Sequence, residues 1–190
     1  IDAREDLEMK ENIIAIRRKK ESSMVKTMML ARKGEVDAVL SCGNTGAYYA
    51  SAMLFLKRIE GVEKSCLMAM MPTYSDNKVA MLDVGANSEN TAEQLKSFAI
   101  MGNAYAKNVL KITNPKIALL NIGSEHHKGD EIHQETYKLL EDMQEINFVG
   151  NIEGRDILLG EVDVIVTDGF SGNIALKTCE GAASVLMKMV

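Results

Sequence analysis

Val162-Asp163-Val164-Ile165-Val166-Thr167-Asp168-Gly169-Phe170-Ser171-Gly172-Asn173-Ile174-Ala175-Leu176-Lys177 is the stretch that decides how this chain of 190 residues is read. Val162, Val164, Ile165 and Val166 form a β-branched run, the mark of a buried strand. Ala175, Leu176, Thr178, Cys179, Ala182 and Ala183 open a helix of small residues. The junction holds glycine, asparagine and aspartate, which tolerate positive φ and leave backbone N–H groups uncovered. A corner of that kind, aimed at a helix N-terminus, can hold an anion.

The same pattern recurs upstream. Residues 37–41 (D-A-V-L-S) read as a short strand running into Gly43, Asn44, Thr45 and Gly46, with a helix over 48–56. Residues 65–71 and 78–84 read as two further strands, the second ending at Asp83 before Gly85-Ala86-Asn87. Thr91 and Gln94 then have capping-box spacing, and Leu95, Phe98, Ala99, Gly102, Tyr105, Ala106, Val109 and Leu110 make one helical stripe. Residues 116–122 predict a strand leading into the loop 123–129, which carries Lys128. A helix over 130–143 and a strand over 146–149 follow. Nearer the start, Ile13, Ile14 and Ile16 are the apolar cluster of a charged segment. Ser22 or Ser23 caps a helix that Gly34 stops. Strands alternating with longer helices predict a mostly parallel sheet covered on both faces. Loops leaving the carboxyl ends of such strands gather on one edge, where ligands bind.

Composition narrows the class. An apolar fraction of 46% with only Pro72 and Pro115 excludes a disordered or low-complexity chain. The net charge of −5 argues against general nucleic-acid binding, although Arg17-Arg18-Lys19-Lys20 is a local basic run. Three cysteines without a C-x-x-C pair suit a reducing cytoplasm. No apolar run reaches the ~18 residues of a membrane span. His126, His127 and His133 cluster without the spacing of a zinc site on one helix face. Cys42, beside a glycine-rich helix start, is more simply a packing thiol than an acyl carrier. The thirteen methionines read chiefly as core filler.

Five segments together, V-L-S-C-G-N-T-G-A, M-L-D-V-G-A-N-S-E-N, G-N-A-Y-A-K-N-V-L, L-L-N-I-G-S-E-H-H-K-G-D-E and V-T-D-G-F-S-G-N-I-A-L-K, closely resemble the bacterial phosphate acyltransferases of phospholipid synthesis, the PlsX family. The resemblance runs in order from about Ser22 onward. It implies a three-layer α/β/α sandwich with a mostly parallel sheet, like that of phosphotransacetylase and the isocitrate/isopropylmalate dehydrogenases. It implies transfer of a long acyl chain from acyl carrier protein to inorganic phosphate, giving acyl phosphate for a membrane glycerol-3-phosphate acyltransferase. It also implies a cytoplasmic homodimer, with a peripheral membrane contact compatible with that role. On this reading residues 1–190 are one α/β domain, a fragment lacking the family's N-terminal strand and loop and its C-terminal part.

The chemistry needs no Ser-His-Asp machinery, cofactor or metal. A thioester is an activated donor whose thiol, with a pKa of ~8.5, leaves without strong acid help, and phosphate is itself the nucleophile. Asn44, Thr45, Gly46, Gly172 and Asn173 are the expected donors to phosphate or the tetrahedral oxyanion, with Gly43, Gly169 and Ser171 in the same corners. Lys128 and Lys177 are the candidate cations. Asp168 would orient the phosphate hydroxyl or manage the thiol proton, and Asp83 and Asn87 would shape the edge. A phosphotransacetylase using short-chain acyl-CoA, a dehydrogenase of the same fold and a non-catalytic phosphate- or lipid-binding protein are the alternatives. The dehydrogenase lacks support from any G-x-G-x-x-G.

Overall fold

Methionine and isoleucine at helical spacing build the core of the first 62 residues. The structure, a computed structural model, describes residues 1–11, 14–75 and 77–189, and divides into two units, Ile1–Val62 and Glu63–Val190. In the first, a single turn α1 (Ala15–Arg18) precedes α2 (Ser23–Lys33) and α3 (Thr45–Phe55). Ile16, Met24, Val25 and Ala47 pack together as its core, while Ile14 is exposed and Ile13 lies outside the described residues. Gly34 ends α2 in the left-handed region at φ 71°, as its position predicts. Ser22 sits at the N-cap, yet its hydroxyl donates to the Lys19 carbonyl rather than capping.

The strand expected over 37–41 does not form. A strand needs a partner ladder, and among the described residues the first unit has none beyond one isolated bridge, Glu5 to Ser22. Leu40 is accordingly exposed. Gly43 to Gly46 therefore follow an irregular segment rather than a strand.

The second unit carries the sheet: β1 (Met68–Pro72), β2 (Lys78–Leu82), α4 (Ala92–Asn108), β3 (Lys116–Asn121), α5 (Glu131–Glu141), β4 (Asn147–Glu153), β5 (Val164–Val166) and α6 (Gly169–Met189). Strand order is β1-β2-β5-β3-β4, with the hydrophobic β5 in the middle. All pairings are parallel except β1 with β2. That exception follows from chain length. The connection is only a tight turn in which Thr73 N–H donates to the Asn77 carbonyl, and a parallel crossover needs a dozen residues or more.

Side chains alternate across the sheet with period two. Ala80, Leu82, Ile117, Leu119, Val164 and Val166 face Leu95, Phe98 and Ala99 of α4 and Leu140 of α5. Val79, Met81, Ala118, Leu120 and Ile165 face the other way, against Ala175, Leu176 and Cys179 of α6. The unit is thus an α/β/α sandwich. The capping box at Thr91 and Gln94 opens α4, and Gly102 lets that helix approach the sheet, since a Cβ there would lie 2.5 Å from Val164 Cγ1. The helix ends at Asn108, before Asn114-Pro115, and Val109 is exposed.

Candidate active site

Because β2, β5 and β3 are adjacent and parallel, the segments leaving their carboxyl ends share one edge. Each of the three is organised by a polar side chain.

Asp83 ends the first. Wholly buried, its carboxylate accepts from the N–H groups of Leu67, Gly85, Ala86 and Asn87 at 2.9–3.1 Å and from Asn87 Nδ2 at 2.7 Å. Asn87 Nδ2 also donates to the Ser65 carbonyl. The Asp83 carboxylate and the Asn87 Nδ2 are thus taken up within the protein. They fix the loop, and the loop fixes what lies on it.

Asn121 ends the second. Its Nδ2 donates to the Lys128 carbonyl at 3.0 Å and its Oδ1 accepts from Ile122 N–H, which closes the loop 122–129. A Cβ on Gly123 would lie 2.9 Å from both the Lys128 stem and Glu125 Oε2, side chains that would have to shift to admit it. Gly129, at φ 86°, lies tight against Asn121 and His133.

Thr167 and Asp168 end the third. Asp168 Oδ1 accepts from Ser171 N–H at 2.8 Å, capping α6. The helix starts at Gly169 itself, so the expected loop 169–173 is its first turn. The glycines are required for a different reason from the one their positive-φ tolerance suggests. A Cβ on Gly172 would collide with the Asp83 carbonyl, and one on Gly169 with the Asn87 carbonyl. Asn173 lies against Gly85, about 3.4 Å from where a Cβ would be. The first and third segments are interlocked.

The second joins them through a residue not singled out for the site by sequence. His133 Nδ1 lies 2.7 Å from Asp130 Oδ1, and its Nε2 lies 3.8 Å from Asp168 Oδ2. The side chains of His133 and Asp168 are each 16% exposed. The imidazole and then the backbone N–H of His133 hold the Asp130 carboxyl below its usual range. A cleft of about 340 Å³ runs between these elements, with Asn121, Ile122, Gly129, Asp130, His133 and Ser171 among its walls. An Asp-x-x-His pair opening a helix was the signal that could have found His133.

Lys177 is eight residues into α6, some 12 Å along the axis, and pairs with Glu180 at 2.7 Å. In the first unit Asn44 caps α3 by accepting from Ala47 N–H, and its Nδ2 donates to the Met9 carbonyl. Gly43, Thr45 and Gly46 surround that cap and are exposed. Cys42 is an exposed free thiol.

A mostly parallel α/β sandwich with a cleft over the carboxyl edge of its central strands places the second unit among α/β proteins that bind ligands at that edge. The fold is that of phosphotransacetylases: the structure from Streptococcus pyogenes superposes with a TM-score of 0.59 at 20% identity, covering 93% of this chain and 63% of that one. A phosphotransacetylase (EutD) from Staphylococcus aureus gives 0.58 at 19% identity, with 93% and 66% covered. The family described as "Fatty acid synthesis protein" matches residues 1–190, and the chain belongs to it. Relatives named phosphate acyltransferase are 47% identical over 182 residues in Pediococcus pentosaceus and 49% over 178 in Lactococcus lactis. These alignments take in 95% and 94% of this chain but 52% and 54% of the relatives, so the chain spans about half their length.

Proposed function

We propose that the chain carries the phosphate-binding and acyl-transfer edge of an acyl carrier protein-dependent phosphate acyltransferase. The single observation behind this is the interlocking of three strand-end segments at one edge, which sets Asn173 against Gly85 and brings Asp168 and the first turn of α6 to a cleft walled by Asn121, His133 and Ser171. A phosphate oxygen attacks the thioester carbonyl, the C–S bond breaks, and the phosphate hydroxyl proton passes to the departing thiolate. Positioning lowers the barrier by up to roughly 7–11 kcal/mol, and a well-placed oxyanion donor by roughly 2.7–4 kcal/mol. The Gly169 N–H and the Asn173 amide are the donors, the Ser171 and Gly172 N–H groups being held by Asp168. Lys128 is the better placed cation, its stem lying on Gly123 beside the cleft, and Lys177 the more distant one. Asp83 and Asn87 serve by fixing the loop. Ile122 and Phe170, both largely exposed just after β3 and β5, offer an apolar lip for an acyl chain.

The donor is carrier-bound, the product feeds a membrane glycerol-3-phosphate acyltransferase, and the whole protein is a cytoplasmic homodimer that meets the membrane peripherally. Among the described residues no helix is long and apolar enough to cross a membrane. Residues 1–190 are part of one larger α/β domain. The fold neighbours favour a second reading, transfer from a short-chain acyl-CoA. Full-length protein supplied with phosphate and either long-chain acyl carrier protein or acetyl-CoA separates the two by which donor yields acyl phosphate. In the same assay Asp168→Ala and Asn173→Ala each lose at least tenfold in turnover. If both stay within a few-fold of the parent, the site lies elsewhere.

A further inference from the structure

Among the described residues, one imidazole of the second unit, that of His133, has a carboxylate within ion-pair reach of each ring nitrogen. Asp130 caps α5 and accepts both the backbone N–H of His133, at 2.9 Å, and its Nδ1, at 2.7 Å. A carboxylate only accepts, so Nδ1 carries a proton. The opposite nitrogen, Nε2, then depends on the charge of the ring. In the neutral ring it is a lone pair facing the lone pairs of Asp168 Oδ2. In the imidazolium it is an N–H that can close on them. The separation of 3.8 Å is beyond a hydrogen bond and within reach of one after a small rotation. Asp168 has its other oxygen committed to Ser171 N–H, so this contact decides the remaining one. Among the described residues the charged groups facing the ring are Asp130, from the cap of its own helix, and Asp168, from the junction of β5 and α6. Asn121 and Gly129 of the β3–α5 loop crowd the same corner and bring no charge.

We propose that His133 is a positioning residue of this site: tied to Asp130, it holds Asp168 as an imidazolium and offsets two carboxylates at the mouth of the cleft, so that phosphate binding depends on its charge. This rests on the acyl-transfer reading above. Loss of the ring proton leaves Asp130 and Asp168 as an uncompensated pair of negative charges where an anionic substrate must enter. Phosphate KM then rises with pH more steeply than the second ionisation of phosphate alone dictates.

The test is steady-state kinetics of the full-length enzyme across pH 6–9, with phosphate varied, for the parent, His133→Gln and His133→Ala. The ionisation of phosphate is common to all three and cancels in the ratio of their KM values. At pH 6 both variants raise phosphate KM by roughly tenfold while kcat falls less than threefold. The gap between parent and variants changes with pH, which a merely structural role for the ring would not produce. His133→Gln, whose amide can still donate to Asp168, keeps the lower KM of the two variants and covers the case in which His133→Ala fails to fold. Parallel KM profiles for parent and variants would overturn the assignment while leaving the acyl-transfer site intact. Full activity in Asp168→Ala would remove both.

Discussion

Asp83 and Cys66 are close enough that the charge of one is felt by the other. Burial, and then the charge of Asp83, push the Cys66 thiol up to about 12. Below the ~8.5 of an unburied thiol both folded and unfolded chains hold the proton, so pH has no effect through this group. Above it only the unfolded chain ionises, and stability falls until about pH 12, by at most about 1.4 kcal/mol per pH unit. Urea midpoints measured from pH 8 to 10 should therefore drop more steeply in the parent than in Cys66→Ala. Parallel slopes would mean the thiol is not what the alkaline limb reports. At this scale the positions of Asp83 and Asp168 at strand ends are legible in the sequence, because an acidic residue closing an apolar run is a local pattern. It does not disclose Asn121 or His133. Their roles depend on the loop after β3 meeting the end of β5, residues some forty positions apart that only the sheet order brings together.

One helix separates the two ways a glycine can be used. In α6, Gly172 sits where any Cβ meets the Asp83 carbonyl, with Thr167 Cγ2 2.7 Å away, whereas Gly181 has nothing within 4 Å. Gly172→Ala should destabilise the protein by about 1–3 kcal/mol through overpacking and cut phosphate-dependent turnover at least tenfold. Gly181→Ala, in the same helix, should stabilise it by about 0.5–1 kcal/mol and leave turnover alone. Thermal unfolding and the acyl-phosphate assay on both variants check the contrast; equal effects would dismiss the interlock. The glycines were legible as important, but for backbone freedom rather than close approach, since spacing alone does not reveal that 169–173 is already helical. The strand expected at 37–41 fails for a related reason. Its composition suits a sheet, and pairing is a property of neighbours rather than of the segment.

For the molecule as a whole, charge is the lever. With a net charge of −5, an acidic carrier needs a local positive surface to dock. Of Arg17-Arg18-Lys19-Lys20, Lys19 is engaged by Glu11 at 2.6 Å and by the Asp6 carbonyl, while the other three are exposed. Arg17→Glu with Arg18→Glu in the full-length enzyme should raise the KM for a carrier-bound donor several-fold and flatten its salt dependence, without changing the KM for phosphate. Unaltered donor kinetics would move the docking surface elsewhere. The layered architecture was open to reading from alternation of strand and helix. The reversed first strand was not, because nothing in the composition of residues 65–84 states the direction of pairing.

The position of β5 in the sheet has a consequence for how the protein is made. It follows β1 to β4 in the chain and stands between β2 and β3. Until residue 166 has emerged, the β1-β2 hairpin and the β3-β4 pair each present a bare inner edge to the cell, open to the wrong partner. A nascent chain stalled just short of that point holds β1 to β4 without the strand that joins the two pairs.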